Sequence, residues 1–357
     1  MKKASMKKAK KKPTASTAGK GLAVGACLAA AVVGGVLAGS RWAYNTAFRP
    51  KGDRAAEPHA MPKGRQYDTY KDAIYENVER VLKAECEEVE IRSADGLRLF
   101  GRFYAGTGDW IGKEDGMRRT DGSVETENGT ETEAGNRPLA LFFHGYRSPA
   151  QRDGCGGFQM MREMGMDVLM VDQRAHGRSQ GKAITMGIKE QQDCLDWIQY
   201  CMNRFGPEKP MILIGISMGA ATVLLAAGHS LPSCVKGVVA DCGYSSVKKI
   251  MKQEIGKMGL PEEAGWQLVK LGAKLFGGFD PEDGEVAEKL QHCQIPVLLI
   301  HGQEDRFVPC EMSMENFESM NCEKQLLTVP GAGHGMSWYL DEEGYRSAVR
   351  AFCERVL

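Results

Sequence analysis

Downstream of residue 138, short uninterrupted apolar runs alternate with segments of helical period. The runs fall at 139–143, 168–171, 211–216, 238–240 and 297–300, with a weaker one at 325–329. A strand that is apolar on both faces belongs in a parallel sheet with helices packed on each side. The helical periods fall at 150–164, 187–204, 218–229, 312–320 and 342–356. The pattern therefore predicts an α/β architecture, a mostly parallel twisted sheet with helices on both faces. Upstream, 87–91 and 97–104 alternate apolar and polar residues around Ser93-Ala94-Asp95-Gly96, which predicts an antiparallel hairpin. Residues 245–292 sit between two sheet strands yet carry helical periods, broken at Gly259-Leu260-Pro261 and at 277–281. That is longer than a crossover needs and predicts a helical cap or lid.

The two remaining stretches follow other rules. Residues 21–40, GLAVGACLAAAVVGGVLAGS, carry no charge, and eight lysines without one acidic residue precede them. A helix of that length spans about 30 Å, the thickness of a bilayer core. With Trp42 and Tyr44 as interfacial residues, the pattern predicts a transmembrane signal anchor: tail 1–20 in the cytoplasm, the remainder outside the membrane. Cleavage after Val36-Leu37-Ala38, releasing a secreted protein, stays open as the alternative. Residues 41–85 are mixed and polar, read as a stalk or lead-in with a helix near 68–83. Residues 106–137, rich in Gly, Thr, Glu and Asp, bury too little to offset their ordering entropy and read as a flexible surface insertion within a domain spanning 86–357.

Charge narrows the function classes. Lys+Arg 46 balance Asp+Glu 46, so the chain lacks the basic excess of a nucleic-acid binder, and no nucleic-acid partner is expected. Eleven cysteines are scattered without CxxC spacing, which gives neither a zinc site nor a disulfide framework. No cofactor or metal is expected, and the pattern is silent on oligomeric state.

Chemistry concentrates at Gly215-Ile216-Ser217-Met218-Gly219, between the apolar run 211–216 and the helical run that follows. A serine on so sharp a strand-to-helix turn needs small neighbours two residues away on each side, and the turn thrusts its Oγ out of the sheet edge. Such a hydroxyl is a poor nucleophile without a base, and the base needs a carboxylate to hold its tautomer. Both follow in the chain: His334 in Gly331-Ala332-Gly333-His334-Gly335, and Asp305 in His301-Gly302-Gln303-Glu304-Asp305. Asp241, after the run 238–240, is the rival acid, with Glu304 behind it. An oxyanion needs preorganised N–H donors, expected from Met218 and from Tyr146 in His144-Gly145-Tyr146. His144 and His301 read as structural, as do His59, His229 and His292. Asp172 and His176 belong to a structured loop beside the site.

On these motifs the chain resembles the α/β-hydrolase superfamily, and more narrowly its serine-aminopeptidase-like branch, which includes membrane-anchored hydrolases. The matching pieces are LFFHGY (141–146), DQRAHGRSQG (172–181), GISMGA (215–220), DCGYSS (241–246), IPVLLIHGQEDRFVP (295–309) and VPGAGHG (329–335). The resemblance implies an α/β-hydrolase fold and a serine hydrolase mechanism through Ser217, Asp305 and His334, with Tyr146 and Met218 at the oxyanion. An ester or thioester, small or lipid-like, is the expected substrate. A peptide substrate, or a ligand-binding fold without catalysis, is the alternative.

Overall fold

The computed structural model describes residues 32–50, 57–106 and 137–357. Of the uncharged stretch 21–40, residues 21–31 lie outside the described residues, as do the lysine-rich tail 1–20 and nearly all of the charged insertion, 107–136.

The chain enters through helix α1 (32–47), then α2 (Arg65–Thr69) and α3 (Lys71–Lys83). The hairpin β1 (Glu87–Arg92) and β2 (Arg98–Tyr104) follows. Next come β3 (Leu139–Phe143), α4 (Ala150–Glu163), β4 (Asp167–Asp172), α5 (Glu190–Phe205), β5 (Met211–Ile216), α6 (Met218–Ala227) and β6 (Val235–Asp241). The predicted cap contains α7 (Val247–Lys257), α8 (Glu262–Gly272), a π-helical turn at Ala273–Gly277 and α9 (Val286–Lys289). The chain closes with β7 (Val297–Gly302), α10 (Cys310–Ser319), β8 (Lys324–Val329), α11 (Ser337–Leu340) and α12 (Glu342–Val356).

Eight strands form one sheet in the order β1-β2-β4-β3-β5-β6-β7-β8. β2 runs antiparallel to β1 and β4, and the remaining pairs are parallel. Side-chain alternation divides the core in two. Leu139, Leu141 and Phe143 of β3 join Met211 and Leu213 of β5 on one face. Ala140, Phe142, Ile212 and Ile214 pack on the other, with α4 and α12. Every residue of α6 is buried, and apart from Thr222, whose hydroxyl is hydrogen-bonded, this helix is apolar all round, as suits an interior helix. β3 sends the chain to β4 on one side, and β5 returns on the other. This is the reversal at which open α/β sheets place their sites, beyond the strands' C-terminal ends.

Of the predicted anchor, only residues 32–40 lie among the described residues. Among the described residues no helix is long and apolar enough to cross a membrane. Helix α1 carries exposed Val32, Val33, Val36 and Leu37 at its start but buries Ser40, Ala43 and Tyr44 in protein. A Cβ on Gly272 of α8 would sit 2.3 Å from the Ser40 carbonyl oxygen, so only glycine admits this approach of the two helices. Tyr44 and Phe276 lie 6.0 Å apart, and Phe48 meets Phe279 edge-on at 5.0 Å. The Arg147 guanidinium donates to the carbonyls of Thr46 (2.8 Å) and Arg49 (2.7 Å), a cation at the negative end of a helix. Within 41–85, read as a stalk, the helices α2 and α3 also lie on the domain, with Ile74, Val78 and Val81 buried.

A buried ion pair anchors the sheet's other end. Lys209, just before β5, donates to Asp167 at the start of β4 (2.8 Å), and both side chains are almost wholly buried. Asp167 also accepts from the Gly106 backbone (2.9 Å). Removing one partner leaves an uncompensated buried charge. Lys209→Met is expected to lower unfolding free energy by about 3–5 kcal/mol, measured by urea titration; a loss below about 1 kcal/mol would show that water reaches Asp167.

Candidate active site

Ser217 occupies the sharp turn between β5 and α6 with φ 57 and ψ −116, a strained conformation for a residue with a Cβ. The flanking glycines explain how the turn closes. A Cβ on Gly215 would lie 2.2 Å from the Gly219 carbonyl oxygen, and one on Gly219 would lie 2.0 Å from that of Phe143. Neither position tolerates a side chain, so α6 starts directly against the end of β3. That contact brings Gly145, after β3, beside the serine side chain: a Cβ on Gly145 would lie 3.3 Å from Ser217 Cβ.

The structure brings three of the candidates into a chain. His334 Nε2 lies 2.9 Å from Ser217 Oγ, and His334 Nδ1 lies 2.6 Å from Asp305 Oδ2. A carboxylate only accepts, so Nδ1 carries the proton and Nε2 is free to accept from the serine. Asp305 Oδ1 accepts from the Phe307 (2.8 Å) and Val308 (2.9 Å) backbone. Burial alone would raise the Asp305 carboxyl, but hydrogen bonds from His301 and His334 outweigh it and hold the group well below the usual carboxylate range. His301 Nε2 donates to the Val308 carbonyl (2.9 Å) while lying 3.3 Å from Asp305. Its Nδ1 pairs with Ser313 Oγ at 2.6 Å. It braces the acid's loop and stays away from the serine. The acid and base loops meet where a Cβ on Gly302 would strike the Ala332 carbonyl, and Glu304 N donates to that same carbonyl (2.9 Å).

The rival acids sit elsewhere. Glu304 is exposed. The Asp241 carboxyl is buried, its Oδ1 lacks a hydrogen-bond partner, and burial pushes its pKa to about 6. Its backbone carbonyl accepts from Ser217 N (2.8 Å), so Asp241 helps to hold the turn through the main chain.

The loop of Tyr146 is pinned from three sides. Gly145 N donates to Asp153 Oδ2 (2.7 Å), Arg147 N to His176 Nε2 (2.9 Å), and the Tyr146 hydroxyl to the Ala47 carbonyl (2.7 Å). Arg147 adopts φ 53, the left-handed region. His176 Nδ1 donates to the Arg174 carbonyl (2.9 Å), and His144 Nδ1 to that of Gly145 (2.8 Å). Gln173 N donates to His144 Nε2 (3.0 Å). Burial lowers the pKa of both imidazoles, as suits rings that each donate once and accept once. Asp172 accepts from Arg102 (3.2 Å) and from Arg178 N (3.0 Å). Met218 opens α6, where N–H groups and the helix dipole favour a developing negative charge.

Four residues of the site escaped the sequence reading, and three of them, Gln66, Tyr67 and Asp153, lie outside the quoted motifs. Gln66 and Tyr67, from α2, clamp the histidine loop: Gln66 binds Gly331 O (2.5 Å) and Gly333 N (2.7 Å), and Tyr67 OH donates to His334 O (2.6 Å). Phe307 sets its ring edge-on against His334 at 5.0 Å. Asp153 holds the Gly145 turn. The partners of Gln66 and Tyr67 lie 265 or more residues away, beyond any local pattern. The ligand atoms of Cys242, Asp305 and His334 gather within 4.8 Å. Burial raises the Cys242 thiol well above its ordinary value.

Ser217 lies at the junction of two cavities. One, of about 370 Å³, is lined by His334, Tyr67, Lys63, Arg152 and Trp338. The other, of about 340 Å³, is lined by Met218, Trp42, Ala47, Met251 and Leu268. Tyr146 and Phe307 border both.

The two aspartates give opposite pH dependence. Asp305, with its pKa depressed in the fold, contributes stability that is present above its unfolded value of about 4 and lost as the pH falls below it. Asp241, raised to about 6, contributes fully below about pH 4 and weakens the fold as the pH rises through 6. Asp241→Asn is therefore expected to raise the melting temperature relative to wild type at pH 8 but not at pH 4. An equal change at both values would contradict a raised Asp241.

Comparisons with known proteins agree with this architecture. The alpha/beta hydrolase fold family model matches residues 158–259. Uncharacterized protein YqkD of Bacillus subtilis is 26% identical over 198 residues, covering 54% of this chain and 64% of that protein. The match thus spans less than two thirds of that relative. The Pyrococcus furiosus esterase Pf2001 superposes with TM-score 0.57 at 23% identity, over 78% of this chain and 93% of that one. An acylaminoacyl peptidase of Pyrococcus horikoshii superposes with TM-score 0.53 at 16% identity, over 79% and 43%. With its sheet order and its strand–serine–helix turn, the chain has the α/β-hydrolase fold.

Proposed function

We propose that this chain is a serine hydrolase that cleaves carboxylic esters or thioesters through an acyl-enzyme. The observation that carries the reading is the continuous path Ser217 Oγ to His334 to Asp305, at 2.9 and 2.6 Å. Ser217 Oγ attacks the carbonyl carbon as its proton passes to His334 Nε2, and the oxyanion is held by the N–H groups of Met218 and Tyr146. His334 returns the proton to the departing alcohol or thiol, and water, activated by the same nitrogen, releases the acid. Asp305 keeps the imidazole in the required tautomer and stabilises its cation. No step calls for a metal or cofactor.

A lipid-like ester presented at a membrane is the substrate class we favour. The uncharged stretch runs directly into α1, whose first turns expose Val32, Val33, Val36 and Leu37 and whose last turn reaches the apolar cavity. We propose that the tail remains in the cytoplasm and the domain lies outside the membrane, held to its surface by this segment. The fold shared with an acylaminoacyl peptidase makes peptide cleavage the competing outcome.

The test is labelling with a fluorophosphonate probe, followed by turnover of p-nitrophenyl esters beside aminoacyl anilides. Labelling is expected in wild type and absent in Ser217→Ala. Asp305→Asn is expected to lower kcat about 10⁴-fold, with a larger loss in His334→Ala, while Asp241→Asn stays within about tenfold of wild type. Equal labelling of wild type and Ser217→Ala would remove the nucleophile, and preference for anilides would replace the esterase with a peptidase.

A further inference from the structure

The two cavities that meet at Ser217 have different chemistry, and the position of the base assigns them. The leaving group must receive its proton from His334 Nε2, so it lies in the cavity that His334 lines. That cavity also holds Lys63, Tyr67 and Arg152 beside Met61, Ile74, Met336 and Trp338, a lining more polar than that of the second cavity. His334 does not line the second cavity, whose wall includes Met218, the residue offering the oxyanion N–H. Apart from Glu254, Lys257 and Arg147 at its edge, its lining is uncharged and largely aliphatic or aromatic. Trp42, Met258, Leu260 and Phe307 border it while remaining 39–53% exposed. Four large apolar side chains of its wall thus remain open to solvent, an arrangement that water disfavours unless an apolar ligand binds there.

We propose that this second cavity holds the acyl chain of the substrate, and that α1, together with the cap helices α7 and α8, sets the acyl-length limit. The inference rests on the ester-hydrolase reading and deepens it. A cavity of about 340 Å³ has room for roughly ten methylene-sized units, taking about 30 Å³ for each by analogy with liquid water. Medium-length acyl chains therefore fit and longer ones protrude past the apolar rim. Residues 43–47 lie upstream of every motif that marks the fold. Substrate length is thereby coupled to the docking of the N-terminal helix, which Gly272 and the Arg147 contacts with Thr46 and Arg49 hold in place.

The test uses the full chain and two ester series: p-nitrophenyl esters of increasing acyl length, and acetates of increasing alcohol length followed by pH-stat. Ala47→Phe fills the second cavity from α1, and Met251→Trp fills it from the cap should the first variant fail to fold. Gly157→Phe fills the first cavity, where a Cβ at 157 meets nothing within 4 Å. Ala47→Phe or Met251→Trp is expected to lower the octanoyl-to-acetyl ratio of kcat/KM at least about tenfold, the loss expected when two methylenes no longer fit. The octyl-to-methyl acetate ratio should hold. Gly157→Phe should do the reverse. A crossed pattern, or unchanged ratios in variants that still label at Ser217, overturns the assignment while leaving the esterase reading intact. Absence of Ser217-dependent ester hydrolysis in wild type removes both.

Discussion

The approach of α6 to the end of β3 governs the site. A Cβ on Gly219 would lie 2.0 Å from the Phe143 carbonyl oxygen, so the helix can begin where it does only because that residue has no side chain. The contact has three consequences at once. It forces Ser217 into a conformation with positive φ, it places the first N–H groups of α6 beside the loop after β3, and it aims the hydroxyl beyond the sheet edge. Strain at Ser217 persists because the surrounding backbone over-determines it: its N–H is held by the Asp241 carbonyl at 2.8 Å, and all of α6 is buried.

Once the serine is fixed, the other loops are held to it by hydrogen bonds whose worth comes from burial. His144, His176 and Asp153 brace the loop of Tyr146, and His301 braces Asp305. These imidazoles touch no candidate substrate position. They act by fixing backbone, which is why three histidines within a few residues of the site leave His334 as the one in contact with the serine. Low local dielectric strengthens each bond and makes each unsatisfied group expensive. Asp241, with one buried oxygen unpartnered, is the place where that expense is visible.

Much of this was legible in the chain. Fully apolar runs located the parallel strands because both faces of β3 and β5 are buried, and glycines two residues either side of Ser217 located the turn because sterics permit nothing larger. The acid was ambiguous, since Asp241 and Asp305 both follow sheet strands; only the turn of the side chain toward His334 separates them, and no periodicity records that. Gln66 and Tyr67 were illegible for a different reason. Their bonds to the histidine loop join positions 265 or more apart, within a polar segment whose composition resembles a linker. Charge-free composition at 21–40 did not show where α1 docks on the domain, because small residues such as Ser40 suit close packing against protein as well as lipid.

That double suitability carries the last step. An alanine- and glycine-rich helix can meet lipid tails or another helix, since small side chains let backbones approach in either setting. In α1 the two uses are separated along its length: aliphatic side chains are exposed before residue 38, and Ser40, Ala43 and Tyr44 are buried after it. The change occurs where α8 crosses at Gly272 beside Ser40, about half a helix turn before the apolar cavity begins at Trp42. A helix docked in this way sets the position of the cavity's mouth relative to whatever surface its first turns meet. The wall of the cavity beside Ser217 and the exposed aliphatic turns therefore belong to one helix, and a change in how α1 is seated would alter both together.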